Sequence, residues 1–117
     1  MRKISVFKKN TNIILDVNEM GFFGKGFGLM FKTKNTKSLL FDFKKDTRIG
    51  IHSWFVFFPF LVIWLDSKNR VLDLKIINPF TSYVKPEKDF RKFIEIPICS
   101  KNRKILRFFV GKLEKFK

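Results

Sequence analysis

Alanine and glutamine are absent from this 117-residue sequence, and cysteine and histidine occur once each, as Cys99 and His52. A single cysteine excludes an internal disulfide. One cysteine with one histidine excludes a tetrahedral Cys/His zinc site built by one chain. We expect neither a metal nor another cofactor. Acidic residues are scarce, 10 against 25 lysines and arginines, and no paired-carboxylate spacing stands out: Asp42, Asp66, Asp73 and Glu95 fall on different strands or turns. Phosphate loops are excluded as well. Gly24-Lys25-Gly26 lacks the Ser or Thr that must follow the lysine, and no Gly-x-Gly-x-x-Gly spacing closes. The longest apolar block, Ile51–Asp66, is shorter than the roughly 20 residues a bilayer span needs and is cut by Pro59. The N-terminal stretch returns to charge at Lys8 before a signal-type apolar segment develops. The expected location is therefore cytoplasmic, without a membrane span. With no recognisable catalytic set, the reading leans away from an enzyme.

What the chain has in quantity is phenylalanine, β-branched residues and lysine. Hydrophobic residues make up 45%, enough for a buried core, and the length suits one domain over residues 1–117. Ile51–Asp66 is the block around which the rest is organised. It holds both tryptophans and the histidine, and its density of aromatic and β-branched side chains predicts a stretch buried on both faces. Pro59 cannot donate to a ladder, so two strands or a bulged strand are expected there.

Strands are predicted over Lys3–Lys9 and Asn12–Asn18, joined by a hairpin turn at Lys9-Asn10-Thr11, with Ile13, Leu15 and Val17 on one face. Met20, Phe23, Phe27 and Met30 recur at helical spacing, which predicts a short helix near 19–31 despite four glycines. Leu39, Phe41 and Phe43 alternate with polar positions as a strand does, and Lys44–Gly50 reads as a charged turn. Asp66-Ser67-Lys68-Asn69 is a tight hairpin connection to a return strand over Arg70–Asn78. In that strand Leu72, Leu74 and Ile76 are expected to point inward, Asp73 and Lys75 outward. Phe80–Asp89 is a loop with Tyr83 as an aromatic anchor. Phe93–Ile98 is another strand. Ser100 is the candidate cap of a helical turn near 101–109, and Leu113–Phe116 a short last strand. Short strands at this spacing predict a mainly β fold, a small β-sandwich of jelly-roll type or a partly open barrel.

Several ordered pieces carry a resemblance. They are Gly28-Leu29-Met30-Phe31-Lys32, Leu39-Leu40-Phe41-Asp42-Phe43, the block Ile51–Pro59, the hairpin Trp64-Leu65-Asp66 to Arg70-Val71, Ile94-Glu95-Ile96-Pro97 and Val110-Gly111-Lys112-Leu113. Their order resembles domain-of-unknown-function family 192, in its archaeal style, from about residue 18 on. The resemblance implies a jelly-roll-like sandwich with a helix near the Gly-Leu-Met motif, and it implies no activity. The chain departs from the family pattern in three places. Leu61 stands where the family has Asp, Lys32 where it has Arg, and Ile98-Cys99-Ser100 where it has a small Ala-Gly turn.

The candidate ligand site gathers Met30, Lys32, His52, Trp54 and Glu95 as a polar cluster in an apolar setting. The plainer reading makes His52 a core or edge histidine and Lys32 and Glu95 a surface ion pair. Glu95 or His52 as a general base is the enzymatic alternative. Cys99 reads as a small buried residue rather than a nucleophile paired with His52. The net charge of +15 suggests nucleic acid or another polyanion, with Lys101, Arg103, Lys104 and Arg107 as its candidate contacts. Lysines far outnumber arginines and alanine is missing, so coding bias explains the charge at least as well. The function expected is a non-enzymatic module binding a small molecule or a protein, with nucleic acid possible but not favoured.

Overall fold

The computed structural model describes residues 2–20, 32, 35–53, 55–81 and 83–111. Six strands form one sheet in the order β1-β2-β3-β6-β4-β5. They are β1 (Arg2–Lys8), β2 (Thr11–Glu19), β3 (Ser38–Thr47), β4 (Phe60–Leu65), β5 (Val71–Ile77) and β6 (Phe90–Pro97), followed by a 3-10 turn at Ser100–Asn102 and helix α1 (Arg103–Val110). The sheet curls into a half-barrel. Its two edges meet where the Phe7 amide donates to the Asn69 carbonyl at 2.9 Å, in a bridge between Phe7 and Arg70.

Pairing is antiparallel except between β2 and β3, which run parallel over Val17–Glu19 and Ser38–Leu40 only. The two faces carry separate cores. Ile4, Val6, Leu15, Val17, Leu40, Leu61, Ile63, Leu65, Ile94 and Ile96 fill the concave side, with Leu106 and Phe109 of α1 packed among them. Leu39, Phe41, Val62, Trp64 and Phe93 lie on the other side, under Ile51, Val56, Phe58 and Phe90. Every residue of β4 is buried, because both faces of its strand are covered. That explains its unbroken apolar sequence.

The turns follow side-chain chemistry. Lys9 has φ of 56° in the β1–β2 turn, where the Thr11 hydroxyl donates to the Lys8 carbonyl. In the β4–β5 turn Asp66 Oδ1 accepts the amides of Lys68 and Arg70, both at 2.9 Å, Asp66 Oδ2 accepts Arg70 Nε at 2.7 Å, and Asn69 takes φ of 63°. An aspartate at the first turn position and an asparagine at the left-handed one are the residue types that tolerate those geometries.

Some expectations change. The charged turn at Lys44–Gly50 is in part strand: β3 runs to Thr47 through a bulge, with Lys44 at φ of 62° and its amide held by Asp42 Oδ1 at 2.9 Å. A register shift between Trp64 and Leu65 moves Leu72 off the face it was expected to share with Leu74 and Ile76. Asp73 pairs with Trp64 and Lys75 with Val62, on the covered side, while Leu74 and Ile76 pack on the concave core and Leu72 on the other. Simple alternation missed this because a bulge resets the period of two. Ser100 opens the 3-10 turn instead of capping it by its side chain. Tyr83 is 61% exposed and anchors little; its ring lies so close over Gly50 that a Cβ there would meet it at 2.1 Å. The helix predicted near 19–31 lies almost wholly outside the described residues; within it, Glu19 ends β2. The last strand predicted at Leu113–Phe116 lies outside them altogether.

Candidate functional site

β4, β5 and β6 share one end of the sheet, where Phe60 pairs with both Ile77 and Pro97. Two loops leave that end, 51–59 and 78–89, and they are tied together. Ile51 and Val84 exchange amides and carbonyls at 2.6 and 2.7 Å. Ser53 is fully buried between the loops. Its hydroxyl donates to the Asn78 carbonyl at 2.7 Å and accepts the Thr81 amide at 2.5 Å, while its own amide donates to the Thr81 carbonyl at 2.9 Å. The Phe80 amide closes the arrangement on the Ser53 carbonyl at 2.9 Å.

This staple fixes an aromatic cluster on the surface. Phe57 is 62% exposed, Phe55 48% and Phe80 45%. Phe80 packs edge-to-face on Phe57 at 5.4 Å and on Phe55 at 6.4 Å. Phe55 and Phe80 both have φ of 59°. A bulky residue at positive φ is a real outlier, with a cost of order 1–3 kcal/mol each, and such strain collects at functional sites. The alternation beneath is regular: Val56 and Phe58 are buried in the core while Phe55 and Phe57 face out.

Of the ligand set expected from sequence, Glu95 is 4% exposed and sits between Leu39 and Val62 in the covered layer. His52 is exposed, on the loop that covers that layer, and Lys32 is exposed. Met30 and Trp54 lie outside the described residues. The plain surface pairing of Lys32 with Glu95 does not suit a carboxylate this buried. Cys99 is buried, as expected, and the buried Asn102 amide donates to the Pro97 carbonyl at 2.8 Å and approaches the Cys99 sulfur at 3.6 Å. Among the described residues no group of His, Cys, Asp and Glu is placed to hold a metal ion.

The basic candidates divide. Arg103, Lys104 and Arg107 are exposed along α1. Lys101 instead donates to the Asn35 carbonyl and borders a cavity of about 400 Å³ with Asp16, Lys37, Asn102 and Ile105. Lys3, at 2.7 Å, holds the Asp16 carboxyl below its ordinary pKa by hydrogen bond and charge, with Lys37 adding to the effect. Burial pushes Asp42 and Asp66 up. In Asp42 the Lys44 amide, with the charges of Lys44 and Lys92, outweighs burial and leaves the net shift downward. In Asp66 the Arg70 amide and guanidinium and the Lys68 amide do the same.

Sequence reasoning passed over Phe55, Phe57, Phe80 and Ser53. The in-out alternation at residues 55–58 was the available signal for the first two. Nothing local marks Ser53, whose partners lie 25 and 28 residues away.

The described residues define a class: a six-stranded half-barrel closed by one short helix, with a stapled loop pair at one end. Two solved structures share the fold. One is a protein of unknown function from Novosphingobium aromaticivorans DSM 12444, with a TM-score of 0.69 and 15% identity over 81% of this chain and 71% of that one. The other is a candidate transcription regulator of Sinorhizobium meliloti 1021, with a TM-score of 0.72 and 13% identity over 88% and 84%. Identity this low shows the fold alone. No family model matches the chain. Closer relatives are archaeal. The UPF0127 protein of Pyrococcus horikoshii is 38% identical over 78 residues, 65% of this chain and 66% of that protein. That of Pyrococcus abyssi is 34% identical over 92 residues, 77% and 75%. The match to the Thermococcus kodakarensis member spans 46% of that protein's length. The chain belongs to the UPF0127 family, which is uncharacterised.

Proposed function

We propose that this protein is a non-catalytic binding module whose site is the loop pair 51–59 and 78–86. The observation that carries this reading is the Phe55–Phe57–Phe80 cluster: three exposed rings, two on strained backbone, held by a fully buried serine. A scaffold that spends stability to keep apolar side chains outside fits recognition better than packing. Trp54 and His52 belong to the same loop, and Met30 and Lys32 stay with them in this reading, while Glu95 lies in the covered layer beneath. The order of motifs resembling family 192 supports the same region, since the Ile51–Pro59 block is part of it.

The enzymatic alternative needs a general base that substrate can reach. Glu95 at 4% exposure does not offer that, and His52 is exposed. Ligand-observed NMR with a fragment set tests the binding reading. Some fragments should lose signal in the presence of the protein, and Trp54→Ala, folded by circular dichroism, should restore it. If Trp54→Ala and Phe57→Ser each leave every bound fragment in place, the loop pair is not the site.

A further inference from the structure

Basic residues outnumber acidic ones around the loop pair. From Thr47 to Leu65 and from Leu74 to Asp89 the cations are Arg48, Lys75, Lys85 and Lys88 and the acids Glu87 and Asp89, with Asp89 paired to Arg48 at 3.0 Å. Lys75 Nζ donates to the Lys85 carbonyl at 3.2 Å, which brings the two lysines together beside the Ile51–Val84 bridge. Ile49, one residue from Gly50, is 52% exposed, and Tyr83 61%. The end of the sheet therefore presents apolar and aromatic tips bordered by cations, on a chain of net charge +15.

Two polyanions meet such a surface differently. Single-stranded nucleic acid stacks successive bases on ring faces along a groove. Here Phe80 packs edge-to-face on both neighbours, so the rings form one cluster and not a row of parallel platforms. An anionic bilayer needs apolar rings that enter the headgroup–acyl boundary and lysines that reach phosphate beside them. Phenylalanine, with no polar tip to satisfy, suits the first need, and Lys75 and Lys85 the second. We propose that the Phe55–Phe57–Phe80 cluster is a docking surface for an anionic phospholipid bilayer, with the rings inserted and Lys75 and Lys85 at the headgroups. The proposal rests on the reading of the loop pair as the binding face and names its partner.

The test uses the full chain with vesicles of phosphatidylcholine, alone and mixed with phosphatidylglycerol, at low and physiological salt. A protein of this charge will adhere to anionic vesicles at low salt whatever its loops do, so the ring contribution is read at physiological salt. The mixed vesicles should retain the protein there, and Phe57→Ser/Phe80→Ser should bind at least about tenfold more weakly, as expected for withholding two rings from the apolar layer. The double variant must keep the wild-type far-ultraviolet spectrum. Phe57→Trp serves as a second readout that needs no loss of fold. Its added emission should be quenched by lipids brominated on the acyl chains. Equal vesicle binding by wild type and double variant overturns the proposal, and so does Trp emission untouched by the bromines. So does a double variant that loses oligonucleotide binding while keeping vesicle binding, which would make nucleic acid the partner. If vesicles fail while soluble fragments still report on Trp54, the lipid assignment falls and the binding module stands. If both fail, both fall.

Discussion

Ser53 shows how much one buried hydroxyl can organise. Its hydroxyl donates to the Asn78 carbonyl, which the Thr81 hydroxyl also reaches at 2.8 Å, and accepts the Thr81 amide, so one buried group ties two loops. Ser53→Ala should cost about 1–3 kcal/mol, through the two hydrogen bonds its hydroxyl makes. In urea the midpoint should fall with the slope unchanged. An unchanged midpoint would show that water takes over the hydroxyl's role. Asp66 acts through charge. Its folded pKa lies below its ordinary value, so its contribution is fully present above that ordinary value and is lost as pH falls through the lower, folded one. Wild-type stability should therefore drop on acidification below about pH 4, and Asp66→Asn should flatten part of that slope. Thermal unfolding across this range checks it; a variant as acid-sensitive as wild type would assign the loss to Asp42 and other carboxylates. Asp66 was legible in the sequence, because an Asp-Ser-Lys-Asn turn signals itself locally. Ser53 was not, because its partners are distant in the chain.

At the scale of elements, period-two alternation placed β1, β2 and β5 within a residue at each end, while the strand expected at Phe93–Ile98 begins at Phe90 and β4 was marked by its unbroken apolar run. The hairpin of β1 and β2 and the inward face of Ile13, Leu15 and Val17 came out as read. The strand misreadings share one cause. The bulge in β3 carries that strand on to Thr47, and the one opposite Trp64 puts Leu72 on the face opposite Leu74 and Ile76; sequence carries no local mark of either. The half-barrel itself depends on the Phe7–Arg70 closure, a contact across the whole sheet. Helix α1 was legible from its apolar face, but its electrostatics are adverse. Its first turn holds no acidic residue, so Arg103 and Lys104 stand at the positive end of the helix dipole. Its other end is served better: Lys8 Nζ donates to the Phe109 carbonyl at 2.8 Å, and Gly111, at φ of 73°, closes the last turn. Lys104→Glu should stabilise the protein by about 0.3–1 kcal/mol at low salt, less at high salt. Urea titrations at two salt concentrations measure this. A destabilised variant would mean that Lys104 has a structural contact outweighing the dipole.

For the whole molecule the open quantity is the charge. Carboxylates are committed to pairs spread over the surface: Lys3–Asp16, Arg48–Asp89, Arg70–Asp66 and Arg91–Asp46 lie on β1, the loop after β3, the β4–β5 turn and β6. Exposed pairs of this kind add little stability, but each cancels a positive charge locally. The positive residues are spread over many elements, and α1 exposes Arg103, Lys104 and Arg107. A footprint that small neutralises few phosphates. Each one contributes about −0.9 to the log–log salt slope on duplex DNA, so three give a slope near −3 and an affinity that fades by physiological salt. We expect duplex and single-stranded oligonucleotides to bind measurably at low salt only. Arg103→Gln/Lys104→Gln/Arg107→Gln should shift that weak binding, with no effect on fragments held at the loop pair. Sub-micromolar duplex binding at physiological salt, abolished by the same triple variant, would make the helix a nucleic-acid surface and the charge functional. The bilayer proposal separates from this cleanly: adhesion through α1 is purely electrostatic and follows salt, whereas the apolar part of insertion through Phe55, Phe57 and Phe80 persists when salt has screened the lysines.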